Sequence, residues 1–246
     1  MITINENSRI FVCGDTHGHL HVDKLNTINW PEQKNLTKND FIIQAGDFGF
    51  IWTNEPDKTE KWWMSWFNSK KHYTLFIGGN HENYKRLNEY PEIDFYGGKA
   101  SIISDKVIYL KNGYVYNFGG KKFWLFGCAT SIDRHYRIEG KNWWREEVPS
   151  YKIMQMGLDN LENEGYNVDY IITHTMPRQC ISLYTETDIY AEKYTDPVAI
   201  YLDEVLRRMS LGYKHWYCGH FHEDKLITDY KITIMFNKVY EIGKDF

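Results

Sequence analysis

Five short hydrophobic runs recur along the chain, and each ends in glycine or in polar residues. They read RIFVCGD at 9–15, FIIQAGD at 41–47, TLFIGGN at 74–80, DYIITHT at 169–175 and KHWYCGH at 214–220. Apolar runs of this length, bounded by turn-forming residues, are typical of strands that are buried inside a protein. The pattern therefore predicts five core strands.

Helical spacing appears between some of these runs, most clearly in residues 196–212. Asp196 is a good N-cap, Pro197 suits the first helical position, and Gly212 provides a C-terminal stop. The apolar residues between them fall on one face at intervals of three and four. This segment is predicted to form an amphipathic helix.

Two further segments follow the same logic. Residues 149–166 begin with the N-cap Ser150 and end at Gly165, and residues 54–70 place their tryptophans on a common face. Each is predicted to pack as a helix against a sheet.

Other regions have the signature of paired strands. Residues 113–128 read as strand, Gly-Gly turn and strand, which is a strong hairpin signal, and residues 224–237 repeat it near the C-terminus. Helices therefore alternate with strands in some regions, and strands pair as hairpins in others. This combination predicts an α/β protein with either one mixed sheet or two sheets packed face to face with helices outside.

The bulk composition restricts the class of protein. A chain of 246 residues without repeats or a Pro/Ser-rich linker is interpreted as one domain, residues 1–246. The net charge of −4 gives no reason to expect a membrane-binding or general nucleic-acid-binding surface. The four cysteines form no Cys-x-x-Cys pair, and the N-terminal segment lacks the features of a signal peptide. We therefore expect a cytoplasmic protein; its oligomeric state is left open.

Polar side chains collect where the five predicted strands end. Because the carboxyl ends of strands in α/β sheets are where sites are built, we expect these side chains to converge. The eight residues are Asp15, His17, Asp47, Asn80, His81, His174, His220 and His222.

The chemistry of this set indicates metal binding. Carboxylate, imidazole and amide oxygen are ligands for Mn, Fe, Zn, Co or Ni, and cysteine is absent, which argues against a closed structural zinc site. Asp15 and His17 are two residues apart, so in extended backbone both side chains point to one face, and His220 and His222 repeat this spacing. A carboxylate such as that of Asp47 has two oxygens and can bridge two ions.

The order of these motifs resembles the calcineurin-like metallophosphoesterase superfamily, whose pattern is D-x-H, G-D, G-N-H-[DE], H and G-H-x-H. Here the motifs are DTH at 15–17, GD at 46–47, GNHE at 79–82, THT at 173–175 and GHFH at 219–222. The resemblance implies a four-layer α/β/β/α sandwich of two mixed β-sheets flanked by helices. It also implies a dinuclear metal site at the C-terminal strand ends and a metal-dependent phosphoric ester hydrolase.

The resemblance also implies a role for each matching residue. Six residues match ligands that each bind only one of the two ions. Three match ligands of the first ion, Asp15, His17 and His222, and three match ligands of the second, Asn80, His174 and His220. Asp47 matches the bridging ligand, and His81 matches the catalytic histidine, which protonates the leaving oxygen.

The implied reaction uses two divalent metal ions, with manganese favoured among the candidates. Two neighbouring ions share a water and lower its pKa, and the resulting hydroxide attacks phosphorus. The implied substrate is a small phosphate mono- or diester, with a nucleotide-type substrate favoured.

One segment departs from part of the superfamily. Protein serine/threonine phosphatases and dinucleoside tetraphosphate hydrolases carry G-D-x-V-D-R-G, whose arginine grips phosphate, whereas this chain has GDFGFIW at 46–52. This departure favours the phosphodiesterase-like branch. Two alternatives stay open: a phosphoprotein phosphatase, and a metal-binding scaffold without activity, although the presence of His81 argues against the scaffold.

Three further residues are candidates for substrate binding. Arg134 and Arg137 follow a predicted strand, and the planar guanidinium of arginine suits phosphate oxygens. His19 lies close to the first motif and is expected to line the pocket. Surface or packing roles are expected for the remaining histidines: His21, His72, His135 and His215.

The aromatic groups leave two interpretations open. Residues 50–52 and 142–146 provide either stacking surfaces for a nucleobase or ordinary packing, which we favour. The polar, tyrosine-rich segment 182–195 is either part of the substrate rim or a loop without a role in binding.

Overall fold

The computed structural model of the chain describes residues 2–185 and 195–244. Most of the tyrosine-rich segment considered above therefore lies outside the described residues. Within them, thirteen strands are present. Their bounds are β1 Ile10–Cys13, β2 Phe41–Gln44, β3 Tyr73–Phe76, β4 Glu92–Phe95, β5 Gly98–Ser104, β6 Val107–Leu110, β7 Tyr114–Phe118, β8 Lys121–Phe126, β9 Tyr170–Thr173, β10 His215–Cys218, β11 Lys225–Ile227, β12 Ile232–Ile234 and β13 Val239–Glu241.

The described helices are fewer. The α-helices are α1 Lys58–Asn68, α2 Tyr84–Leu87, α3 Tyr151–Asn163, α4 Arg178–Thr185 and α5 Pro197–Met209. Short 3₁₀ helices cover Val22–Leu25, Pro31–Asn35, Arg134–Tyr136, Arg145–Glu147 and Thr228–Tyr230. In the part of the chain that the structure describes, none of these helices combines the length and apolar character that a membrane crossing requires.

The strands form two mixed sheets. The first has the order β13-β1-β2-β3-β6-β5-β4, and the second has the order β11-β12-β10-β9-β8-β7. Parallel pairing joins β1, β2, β3 and β6 in the first sheet and β8, β9, β10 and β12 in the second. Both predicted hairpins are confirmed as antiparallel pairs, β7 with β8 and β11 with β12. All five predicted core strands are also present, as β1, β2, β3, β9 and β10.

The two sheets pack face to face. Alternate residues of each strand point to opposite sides of its sheet, so one set faces the other sheet and the other set faces outward. On β1, Ile10 and Val12 join the core between the sheets, whereas Phe11 and Cys13 join the outer packing layer. Aromatic side chains close the space between the sheets, as where Phe41 of β2 meets Phe118 of β7 edge to face at 5.1 Å. This arrangement selects the two-sheet alternative left open by the sequence.

Helices cover the outer faces. Helix α1 packs on β3 and β6 of the first sheet, α3 packs on β7 of the second sheet, and α4 packs against α5. The four-layer α/β/β/α sandwich is therefore confirmed. It places the loops after β1, β2 and β3 next to those after β9 and β10.

The predicted helix starts are confirmed in detail. The side chain of Asp196 accepts a hydrogen bond from the N–H of Val198, and Ser150 accepts one from Ile153. These caps satisfy N–H groups that have no partner within the helix. Helix α5 ends earlier than the predicted stop at Gly212, because the residue that follows the helix already adopts left-handed backbone.

His72 is buried immediately before β3 and packs edge-on against Trp30, with ring centroids 5.0 Å apart. Burial lowers the pKa of His72 from 6.5 to about 4, and the charges of Lys70 and Lys106 act in the same direction, against a smaller opposing effect of Asp40. The unfolded chain therefore binds a proton here between about pH 6.5 and pH 4 that the folded chain does not bind.

We expect the free energy of unfolding to fall as the pH is lowered through this window, by up to about 3 kcal/mol from this residue. His72→Gln should flatten the dependence, as measured by urea denaturation at about pH 7 and about pH 4.5. His135→Gln, at an exposed histidine, is the matched control and should keep the wild-type slope. An unchanged slope in His72→Gln would contradict the assignment.

Candidate metal centre

The parallel strands bring the predicted site residues to one edge of the sandwich. Asp15, Asp47 and Asn80 follow β1, β2 and β3, which are parallel neighbours in the first sheet. His174 and His220 follow β9 and β10, which are parallel neighbours in the second sheet. Contacts between these residues show that the two edges meet.

Asp15 is fully buried and links the two sheets. Its carboxylate accepts hydrogen bonds from the backbone N–H of His220 at 3.0 and 3.1 Å, and it lies 3.2 Å from Nε2 of His222. The possible ligand atoms of Asp15, His17 and His222 all lie within 4.8 Å of one another. One group of predicted ligands is therefore assembled around Asp15.

Asp47 occupies a similar position beside the second set of predicted ligands, which is Asn80, His174 and His220. One carboxylate oxygen lies 3.0 Å from Nε2 of His17, and the other lies 3.3 Å from Nε2 of His174. The same nitrogen of His174 is 3.1 Å from Oδ1 of Asn80. Possible ligand atoms of Asp15, Asp47 and His174 also lie within 4.8 Å of one another. Asp47 thus contacts histidines of both groups, which is the arrangement a bridging carboxylate requires.

The electrostatics of the cluster favour bound positive charge. Burial alone would raise the pKa of Asp15 and Asp47, but the neighbouring His222, His174 and His17 outweigh it and hold both pKa values below their usual range. The same carboxylates outweigh the effect of burial on His174 and raise its pKa to about 9. Two ionised carboxylates at this depth are costly unless cations stand beside them.

The donor set fits divalent metal ions. It combines two carboxylates, an amide oxygen and several imidazoles, which suit divalent first-row metals. Burial lowers the pKa of His220 to about 3, so its imidazole is neutral, which is the form that ligates a metal, whereas a metal ion would have to displace the proton of His174. The residues present are therefore suited to hold metal at this edge.

Backbone strain is concentrated in the same loops. Four of the eight predicted site residues have positive φ although they are not glycines: His17 at 47°, Asp47 at 50°, His220 at 69° and His222 at 53°. Left-handed backbone costs such residues on the order of 1 kcal/mol each. Strain of this kind persists where the surrounding structure imposes it, as functional sites commonly do.

Two glycines allow the close approach of neighbouring loops. A Cβ at Gly79 would overlap the carboxylate of Asp47, and a Cβ at Gly219 would overlap that of Asp15. Both positions therefore require glycine because each buried carboxylate presses directly on the backbone of another loop.

The cluster opens into a cavity of about 260 Å³. His81 lies in its wall, and Nε2 of His81 is 3.2 Å from Nη2 of Arg137. Burial lowers the pKa of His81, Asp47 opposes this effect, and His17 and Arg137 add to it. The cavity lining includes Arg137 but not Arg134, which is exposed three residues earlier.

A second cavity of about 470 Å³ adjoins the first, and the two share His17 and His81 in their walls. His19 lines this second cavity, next to Leu20. The rings of His17 and His81, whose centroids lie 4.8 Å apart, therefore border both spaces.

Two supporting residues, Lys24 and His21, were not predicted to contact the site, and a third, Trp52, belongs to the aromatic group 50–52 whose role was left open. Nζ of the buried Lys24 donates to the backbone carbonyl of Asp15 at 2.6 Å and to that of Phe236. His21, expected on the surface or in packing, lies with Nδ1 3.2 Å from Nδ1 of His17. Trp52 stacks on His81 at 5.6 Å. For His21, the spacing of four residues from His17 was the available signal; a single lysine offers none.

Glu82 supports the loop that carries Asp47. Its buried carboxylate accepts hydrogen bonds from the N–H groups of Phe48 at 2.6 Å and Gly49 at 3.3 Å. Burial and the charge of Asp47 raise the pKa of Glu82 well above its usual value. Glu82 therefore anchors the turn after β2, a role that the GNHE motif alone does not reveal.

Comparison with known proteins agrees with this geometry. The model of the calcineurin-like phosphoesterase family matches residues 8–224. Similar curated proteins include lariat debranching enzyme A of Xenopus laevis, 26% identical over 242 residues, which cover 87% of this chain and 42% of that protein. The lariat debranching enzyme of Drosophila melanogaster is 24% identical over 239 residues, with the same two coverages. That of Danio rerio is 28% identical over 189 residues, covering 69% of this chain and 31% of that protein.

The chain thus spans less than half the length of these relatives. The family model, in contrast, covers most of the chain and includes all five strands that carry the site. The chain therefore belongs to the calcineurin-like phosphoesterases, hydrolases of phosphoric esters that depend on a pair of divalent metal ions.

Proposed function

We propose that this protein is a phosphodiesterase that hydrolyses a small nucleotide-type phosphodiester with His81 as the general acid. The observation that carries the proposal is the cavity where His81 and Arg137 face the buried Asp47. A phosphate in this cavity would lie near Asp47, which would help to hold the cations, and near His81 and the guanidinium of Arg137.

The substrate class is supported by two further observations. The similar curated proteins are named as lariat debranching enzymes. In addition, Phe48, Phe50 and Ile51 are buried in the segment where protein phosphatases carry their phosphate-gripping arginine. Turnover of a phosphoserine peptide with no turnover of any diester would favour the phosphoprotein phosphatase instead.

The ligands of the two ions are proposed as the sequence indicates: Asp15, His17 and His222 for one, Asn80, His174 and His220 for the other, with Asp47 between them. When bound, such a pair lowers the pKa of a water molecule and neutralises phosphoryl oxygens. Manganese is the favoured metal for this mixed carboxylate and imidazole set.

The protein groups around the phosphate are held in position by contacts of their own. The N–H of His81 donates to Asp47 at 2.7 Å, and its ring stacks on Trp52. Nε of Arg137 lies 2.8 Å from Asp133, and its Nη2 lies 3.2 Å from Nε2 of His81, to which an arginine can only donate. We propose that a bound phosphate takes over this donor of Arg137, which frees Nε2 of His81 to carry the proton that the departing oxygen receives.

Asp47→Asn should abolish most of the activity, because the amide keeps an oxygen for the N–H of His81 but removes the negative charge between the metals. We expect a loss on the order of 100-fold or more in kcat, together with reduced metal content. The measurements are hydrolysis of bis(4-nitrophenyl) phosphate after loading with manganese, and elemental analysis. Asp105→Asn, an exposed carboxylate in the β5–β6 turn, is the control. A wild-type rate and metal content in Asp47→Asn would remove the two-metal assignment.

His81→Ala should retain its metals and lose turnover in a way that depends on the leaving group. For a dinucleoside monophosphate, whose alkoxide must be protonated, we expect a loss on the order of 10²–10⁴ in kcat. For bis(4-nitrophenyl) phosphate the loss should be much smaller, because a nitrophenolate departs without a proton. Equal losses for both substrates would argue against general acid catalysis, and His135→Ala controls for removal of an exposed imidazole.

Arg137→Gln should raise KM for phosphodiesters, because it removes the bidentate donor from the cavity. We expect a loss of about tenfold or more in kcat/KM, since a charge-assisted hydrogen bond to phosphate is lost. Arg134→Gln provides a matched control in the same loop, and its kinetics should stay close to wild type. Steady-state kinetics on a dinucleoside monophosphate distinguish the two, and equal effects would contradict the role of Arg137.

A further inference from the structure

We propose that the second cavity binds the leaving group of the substrate, and that this group is uncharged, planar, aromatic and of nucleoside size. The inference rests on the proposed phosphodiesterase function, since it names the part of the substrate that lies beyond His81. The residues that define this leaving-group cavity are Leu20, Phe50, Trp52 and Trp63, together with His17 and His81.

The position of the cavity identifies its occupant as the leaving group. The cavity of about 260 Å³ beside the predicted metal ligands, here called the metal cavity, shares His17 and His81 with the leaving-group cavity. A general acid must stand within hydrogen-bond reach of the oxygen that departs. With phosphate in the metal cavity, the group attached to that oxygen extends past His81 into the adjoining space, whose volume of about 470 Å³ accommodates a nucleoside.

The walls indicate stacking as the means of recognition. Phe50, Trp52 and Trp63 present aromatic rings, and Leu20 adds an apolar surface at the mouth, where it is 66% exposed. Aromatic walls bind bases through their π-faces and accept any base, because every base has such a face. The cavity is therefore suited to a flat ring rather than to an alkyl or peptide group.

The charges of the lining disfavour a second phosphate. Among the described residues that line the cavity there is no lysine or arginine, and the two carboxylates belong to Asp57 and Glu60. Asp57 caps α1 by accepting the N–H of Glu60 at 2.7 Å, and Glu60 is paired with Arg86 at 2.6 and 2.7 Å. Apart from the imidazoles of His17, His19 and His81, a phosphate here would meet two carboxylates and no described cationic side chain, so an uncharged leaving group fits the lining better.

The walls are also preformed. Asn83 donates to the backbone carbonyls of Trp52 and Thr53, each at 3.1 Å, and Arg86 donates to Thr53 at 3.0 Å. Trp63 packs against Phe50 with ring centroids 5.4 Å apart. A binding site that is ordered before the ligand arrives loses less entropy on binding.

The test compares two diesters with similar alkoxide leaving groups: adenylyl-adenosine, and the adenylyl methyl ester that replaces the departing nucleoside with methanol. Both 3′–5′ and 2′–5′ linkages are used with metal-loaded enzyme. We expect the ratio of kcat/KM values to favour the dinucleoside by about tenfold or more, and Trp63→Ala to abolish most of this preference. Trp62→Ala is the matched control, since Trp62 is 59% exposed and is not in the cavity lining.

A binding measurement separates failure of this inference from failure of the proposed function. Adenosine is titrated into the metal-free protein and followed by ligand-observed NMR; it should bind to wild type and to Trp62→Ala, and about tenfold more weakly to Trp63→Ala. If diesters are hydrolysed without preference for the nucleoside, or Trp63→Ala keeps the preference, the cavity does not bind the leaving group. If no diester is hydrolysed although metals are bound, the proposed function fails. In that case the titration still tests the cavity, and the absence of adenosine binding would overturn the cavity assignment as well.

Discussion

The burial of two carboxylates, Asp15 and Asp47, between the edges of two sheets is the constraint on which the rest of the site depends. Neither side chain reaches solvent to any useful extent, and burying an ionised carboxylate costs several kcal/mol unless partners compensate. The partners come from both sheets: N–H of His220 and the imidazole of His222 for Asp15, and the imidazoles of His17 and His174 for Asp47. Bound cations would therefore stabilise two buried carboxylates whose energetic cost is already included in the folding of the apo protein.

Meeting this constraint determines much of the local backbone. Gly79 and Gly219 bring loops into contact with the carboxylates, and four non-glycine residues accept left-handed backbone to aim their side chains inward. Outside the cluster, Lys24 and Glu82 fix the two carboxylate-bearing loops by hydrogen bonds to their backbone. The strain is confined to loops, while the strands beneath them are regular parallel pairs with fully buried side chains. Rigid strands thus support strained loops, which keeps the site preorganised.

The sequence predicts the parts of this arrangement that depend on local signals. Core strands, hairpins and the caps at Ser150 and Asp196 follow from apolar runs, turn residues and capping chemistry. The eight predicted site residues could be named because they lie just after core strands: parallel pairing groups those of each sheet, and the packing of the two sheets brings the two groups together. Contacts that depend on how the loops fold back could not be predicted. The long side chain of Lys24 reaches the carbonyl of Asp15, and His21 meets His17 only because of the turn after Asp15. Arg134 and Arg137 illustrate the same limit, since a 3₁₀ turn at Arg134–Tyr136 sends only the second into the cavity.

The division of the site by His17 and His81 separates two kinds of recognition. On one side, carboxylate-held cations and Arg137 respond to the charge and geometry of phosphate, which every phosphoric ester shares. On the other side, aromatic walls without a cation respond to the group that esterifies it. In the proposed mechanism, chemistry and leaving-group selection reside in different side chains, and His81 is common to both because its proton would go to the atom that joins them. Selectivity can then diverge among related phosphoesterases through residues such as Trp63, which packs against Phe50, Trp62 and Trp66, while the cluster of carboxylates and histidines stays unchanged.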